Sequence, residues 1–225
     1  MLISVNWGLY IYAVNNHHVA DAALGYFINP LVSVLLGVIV LGEKLRRLQL
    51  VSVGIATVAV VVLTVALGQP PIISLGLAFS FGFYGLVKKQ VSLTPIQSLT
   101  AETLVLAPVG LIYLGFLQSQ GTNTFVQLGA GHAGLLMLAG VVTALPLLCF
   151  ARAAQEMSLT SLGMVQYITP VIQMLWAVFV NSEHIEPARW VGFVLIWIAV
   201  IVFVIDLLSH RPPRVRRVKK LGASV

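Results

Sequence analysis

Apolar runs follow one another along almost the whole chain, separated by short polar links. Eight can be marked: Leu2–Val14, Val19–Gly42, Leu48–Leu67, Ile72–Val87, Ile96–Leu117, Ala133–Ala154, Leu159–Val180 and Ala188–Leu208. Unbroken runs of about 20 apolar residues predict membrane-spanning helices, whereas barrel strands alternate apolar and polar residues over about ten positions. The fold class expected is therefore an all-α membrane protein with about eight transmembrane helices. The first run, at 13 residues, is short. At about 1.5 Å per residue it reaches about 20 Å of a hydrocarbon layer about 30 Å thick. None of the links is long enough to form a soluble domain. Pro212 and Pro213 end the last helix, because proline lacks the amide hydrogen and clashes with the preceding turn.

One run occurs twice. Tyr26–Glu43, YFINPLVSVLLGVIVLGE, returns 140 residues later as Gln166–Glu183, QYITPVIQMLWAVFVNSE, pairing Ile28 with Ile168, Pro30 with Pro170, Leu35 with Leu175 and Glu43 with Glu183. With eight alternating crossings the two copies run in opposite directions. Inverted repeats of this kind build many secondary transporters, with the binding site between the halves near the midplane. Matching outwards, the first three segments correspond to the last three, and the fourth and fifth lack partners. The symmetry therefore predicts two and a half further helices before Met1, in a five-plus-five pattern.

Composition agrees. The chain is 59% hydrophobic and 9% charged, against roughly 25–35% charge on a soluble surface. The net charge of +6 then points to loop positions rather than to nucleic acid. Lys44, Arg46, Arg47, Lys88, Lys89, Arg152 and the six basic residues of the tail all fall on one side of the predicted topology, and Arg189 alone on the other. Basic loops stay inside, so both termini are expected in the cytoplasm. Cys149 is the single cysteine and lies in an apolar run, which excludes an intrachain disulfide and any cysteine-rich metal site. GxSxG, HExxH and P-loop patterns are missing from the sequence. No enzyme activity, cofactor or metal is expected.

Polar side chains inside hydrocarbon are costly and turn towards partners or a cavity. Tyr26, Asn29, Ser33 and Gly37 share one helix face, and Gln166, Thr169, Gln173 and Ala177 occupy the matching positions in the second copy. Asn6, Tyr10, Ala13 and His17 trace another stripe. Such stripes serve either as helix–helix glue or as a substrate pathway; two in matched register keep the pathway open as an equal reading. Pro30 and Pro170 each free a carbonyl one turn back and are candidate hinges. Glu102, about 9 Å inside its segment by helical rise, is the sharpest single candidate. It could bind a cation or cycle a proton, or pair with Lys88 or Lys89. Asp21 is read as a helix cap, Arg152 and Glu156 as an i,i+4 pair, and Glu43 and Glu183 as solvated helix ends, with gating the lesser reading.

The residues 6–43, AFSFGFYGLVKK at Ala78–Lys89, ETLVLAP at Glu102–Pro108, GVVTALPLL at Gly140–Leu148 and LGMVQYITPVIQ at Leu162–Gln173 together resemble the drug/metabolite transporter superfamily with EamA-type repeats, in its RarD branch. The resemblance implies a ten-helix fold of two inverted five-helix repeats in a bacterial inner membrane, entered here within the third helix. Residues 1–67 would be the remnant of the first repeat, 72–208 the second repeat and 209–225 a basic cytoplasmic tail. The function expected is a secondary permease of small metabolites or drugs working by alternating access. The alternative is a non-transporting membrane protein, either an inactive fragment or a subunit completed by another chain. The expected partners are membrane lipid and a small-molecule substrate, with a homodimer open and no nucleic acid.

Overall fold

The computed structural model describes residues 2–68, 71–179 and 187–209. In chain order its helices are α1 (Leu2–Asn15), α2 (Val19–Leu41), α3 (Arg47–Leu67), α4 (Ile72–Gln90), α5 (Pro95–Ser119), α6 (Thr124–Gln127), α7 (Gly129–Glu156), α8 (Leu159–Gln166), α9 (Ile168–Phe179) and α10 (Pro187–Ser209). Among the described residues there is no strand. α2, α3, α4, α5, α7 and α10 are long and apolar enough to cross a membrane. The chain is an all-α, multi-pass membrane protein.

Local chemistry sets the helix ends. Pro95 opens α5 behind Thr94, whose hydroxyl accepts the Gln97 N–H at 3.3 Å while the Gln97 side chain accepts the Thr94 N–H at 3.0 Å. Proline's fixed φ suits this first position and the reciprocal pair satisfies two orphan donors. Gly42 ends α2 at φ +66°, letting the Glu43 N–H turn back to the Gly37 carbonyl at 3.0 Å. Only glycine takes that left-handed conformation without strain.

Two expectations change. The apolar run Leu159–Val180 is not one helix but two, α8 and α9, parted at Tyr167. Pro170 has no N–H for the Gln166 carbonyl and its ring presses on that carbonyl. The chain tightens instead, with the Tyr167 N–H on the Met164 carbonyl at 3.2 Å, and the helix resumes as the Val171 N–H reaches the Tyr167 carbonyl at 3.3 Å. Pro30, its counterpart, sits inside an unbroken α2. The link before the sixth run, where no helix is marked, contains the short α6, capped by the Asn123 side chain on the Phe125 N–H at 3.0 Å.

α2 is the central helix, packed by α4 and α8 and touched by α1, α3 and α9. Its buried Leu24, Phe27, Ile28, Val32 and Leu36 join Leu159, Leu162, Met164 and Tyr167 in the main core. α3 lies on α10, and α5 and α7 lie outside, with Ile112 and Leu135 turned outward, as helices facing lipid do. Both central pairings are antiparallel. Along α2 and α8, Glu43 meets Leu159 and Thr160, Ser33 meets Gly163, and Asn29 meets Gln166. Along α3 and α10, Arg46 meets Asp206, Ser52 meets Ala199, and Leu63 meets Gly192. The helix that carries the first copy thus runs antiparallel to α8, the helix that leads into the second.

The described basic side chains collect at one end of this bundle. Arg46 pairs with Asp206 at 3.3 Å, Lys88 bonds Ser98 at 2.6 Å, Lys89 donates to the Met157 carbonyl, and Arg152 pairs with Glu156 at 2.9 Å. These contacts join the C-terminal ends of α4, α7 and α10 to the N-terminal ends of α3 and α5. The tail and Glu183 lie outside the described residues, as does the side chain of Arg189.

Candidate functional site

α1, α2, α4, α7 and the α8–α9 break surround a cavity of about 560 Å³, the size of a site for a drug-sized molecule. On α2 its lining runs only from Ala22 to Asn29, so it occupies the half of the bundle away from the basic end. Five rings line it: Trp7, Tyr10, Tyr26, Phe81 and Phe150. Phe81 and Phe150 lie 4.8 Å apart by centroid, and Tyr10 meets Tyr26 edge-on at 6.2 Å.

The polar groups are held by neighbouring helices. Asn6 donates both amide hydrogens to α4, to the Leu77 carbonyl at 2.9 Å and the Ser80 hydroxyl at 2.9 Å. Its oxygen is the group left for the cavity. Asn29, 7% exposed, donates to the side-chain amide oxygen Oε1 of Gln166 at 2.5 Å. One bond between two amides leaves one donor group and one acceptor over, and the Asn29 Oδ1 and Gln166 Nε2 are buried with no partner among the described residues. The Thr160 hydroxyl and Tyr167 phenol, at either end of α8, are buried in the same condition.

Towards the basic end the cavity is closed by the α2–α8 seam. Gly163 permits the close approach: a Cβ there would lie 2.7 Å from the Pro30 carbonyl oxygen and 2.9 Å from the Ser33 Cβ. At the end of the seam the Glu43 carboxylate accepts the Leu159 N–H at 2.6 Å and the Thr160 N–H at 2.9 Å. These are orphan donors of the α8 N-terminus, where the helix dipole favours a negative charge.

Of the residues the sequence nominated, Asn6, Tyr10, Tyr26, Asn29, Gln166, Thr169 and Pro170 line the cavity. Ser33 is buried in the seam and Pro30 lies beside Gly163. The side chain of Gln173 lies outside the described residues. Glu102 does not line the cavity. Its Oε1 is 2.7 Å from the Lys88 ammonium, which is 1% exposed and also sits 5.1 Å from the centre of the Tyr84 ring. Tyr84 stacks on Phe150 and so stands between this ion pair and the cavity. The Asp21 carboxylate takes His18, the residue just before its helix, at 2.9 Å, and its carbonyl accepts the Ser74 hydroxyl at 2.7 Å. Sequence reasoning missed Trp7, Phe81, Thr143, Pro146 and Phe150. AFSFGFYG carried a signal, aromatic residues interleaved with glycines, and GVVTALPLL another, a threonine one turn before a proline.

A model of the EamA-like transporter family matches residues 1–65 and 71–205. The chain is 52% identical over 207 residues to Protein RarD of Streptomyces exfoliatus, covering 92% of this chain and 66% of that protein. It is 45% identical over 208 residues to Protein RarD of Escherichia coli K12, covering 92% and 70%. It is 47% identical over 214 residues to the uncharacterized transporter YojE of Bacillus subtilis 168, covering 94% and 70%. The chain thus spans about two thirds of the length of these relatives. No solved structure matches it.

Proposed function

The chain belongs to the EamA-like transporter family, in its RarD branch, and from that premise we propose that it moves a small metabolite or drug across a bacterial inner membrane by alternating access. The observation that carries the proposal is the ring-lined cavity beside a broken helix, with an antiparallel seam of α2 and α8 between it and the basic end. In repeat-built transporters substrate sites lie at the repeat interface, beside discontinuous helices. The seam has the features of a surface that opens and closes: one charged clasp and a glycine contact. With the basic end in the cytoplasm, the described arrangement is the state closed to the inside.

An accumulation screen tests this. Cells with and without the gene are compared for retention of a panel of small molecules, and Phe81→Trp and Asn29→Leu variants are run beside the parent. A solute whose level follows the gene and loses that dependence in both variants supports the reading. No solute following the gene, with the protein present in the membrane, favours the alternative of a membrane protein that does not transport by itself.

A further inference from the structure

Phe81, Tyr84 and Lys88 stand at i, i+3 and i+7 on α4, so they share one face of it. Of the three, Phe81 is in the described lining of the cavity, and Tyr84 and Lys88 are buried behind it. Phe150, the α7 ring of the lining, rests on both rings of that face. Its centroid is 4.8 Å from that of Phe81 and 5.9 Å from that of Tyr84, on which it stacks at 11°. Phe81 and Tyr84 also meet, at 5.9 Å. In a close-packed cluster a ring takes its place from its neighbours. The wall that Phe81 and Phe150 present to the cavity is therefore set by where Tyr84 sits.

Tyr84 is held in turn from α5. The Lys88 ammonium lies 5.1 Å from the centre of its ring, an attraction that grows when the cation is out of water. Two α5 side chains four residues apart fix that ammonium, the Ser98 Oγ at 2.6 Å and the Glu102 Oε1 at 2.7 Å. The Tyr84 hydroxyl lies 3.5 Å from the other oxygen of the same carboxylate. Among the described residues of α5, Ser98 is the buried one, so α5 grips the bundle at this point. An apolar pair of similar volume would stabilise the fold as well as a buried ion pair does. What the ion pair adds is a fixed place for the cation and for the ring beneath it. We infer that Lys88 and Glu102 are positioning residues for the cavity: through Tyr84 they hold the Phe81–Phe150 wall in place from behind it. The inference rests on that cavity being the substrate site and names the residues that shape it from outside.

A structural pair and a positioning pair part company in the Lys88→Met, Glu102→Leu double variant, which removes both charges and leaves neither unpaired. The full chain is prepared in detergent with 4-fluorophenylalanine in place of Phe81, and its fluorine resonance is recorded beside the thermal midpoint. A second sample carries the label in place of Phe116, exposed on α5, as the control for general loosening. The double variant is expected to keep a midpoint near the parent's and an unchanged resonance at position 116. At position 81 the resonance should shift, or a second one should rise about tenfold, the worth of a buried cation over a ring. Tyr84→Leu should give the same change with both charges in place, and Tyr84→Phe, which keeps the ring, should not. A position-81 resonance unmoved in the double variant, or moved only together with that at position 116, overturns the positioning role. A resonance that moves alone, while a solute that follows the gene accumulates as in the parent, keeps the positioning role and overturns the reading of the cavity as the substrate site.

Discussion

Glu43 is the group whose removal the structure predicts most closely. It follows Gly42, whose left-handed turn aims it back over Gly37, and its two oxygens hold the first two N–H groups of α8 at 2.6 and 2.9 Å. Hydrogen bonds to a charged acceptor contribute about 1.5–3 kcal/mol each, and the charge at the helix N-terminus about 0.3–1 kcal/mol more. Glu43→Gln keeps one acceptor oxygen and turns an NH₂ group towards a second N–H, so it forfeits about 2 kcal/mol of the clasp. At about 1.4 kcal/mol per tenfold, the seam then opens about 30 times more often. Gly37→Ala should act the same way with the charge retained, because a Cβ at Gly37 would lie 2.7 Å from the Glu43 oxygen. The readout is the alkylation rate of a cysteine at Ser33, buried in the seam at 2% exposure, in a chain whose exposed Cys149 is replaced by serine. Ser33 lies about 15 Å along the helix from Glu43, beyond a Debye length in ordinary salt. The carboxylate therefore does not set the thiol's reactivity directly. Faster labelling by ten- to thirty-fold in both variants is expected. If both label as slowly as the parent, the Glu43 contact does not hold the seam, and the reasoning from hydrogen bonds to closure fails.

Three further outcomes follow from other contacts. Glu102→Gln leaves the Lys88 ammonium, 1% exposed, without its counter-charge. Breaking such a pair costs about 3–5 kcal/mol, so the thermal midpoint in detergent should fall, and a Lys88→Met, Glu102→Leu double variant should recover most of the loss. Gly163→Ala places a methyl group 2.7 Å from the Pro30 carbonyl oxygen; overpacking of about 1–3 kcal/mol should raise labelling of the seam, read on Ser33→Cys, without lowering total helicity by circular dichroism. Pro170→Ala restores the N–H that the Gln166 carbonyl lacks. The α8–α9 break should close into one helix, seen as slower amide exchange at Tyr167 and Val171, with solute accumulation moved towards the level of cells without the gene.

How much of this was legible beforehand depends on what kind of interaction each residue makes. The membrane-spanning helices were readable because apolar length needs no knowledge of contacts. The polar stripes were readable for the same reason: Asn6, Asn29 and Gln166 are conspicuous inside hydrocarbon, and helical spacing puts them on faces that turn inward. The rings were not, because a phenylalanine that lines a cavity and one that faces lipid look alike in sequence; Phe81 and Phe150 line the cavity while Phe116 is exposed on α5. Glu102 was visible as a deep carboxylate, but Lys88 sat in a pair of lysines that reads as a helix end, and only packing of α4 on its neighbours buries one of the two. Glu43 shows the same limit from the other side. A glutamate after a glycine at a helix end looks solvated, and its role comes from the start of α8, some 116 residues away in the chain. For Glu43 sequence patterns did not reveal the partner, and for Glu102 they named two lysines without saying that Lys88 is the one that pairs. The seam's function therefore rests on pairs whose members are separately unremarkable, and the variants that test it are those, such as Gly37→Ala, that disturb the pairing while leaving both partners in place.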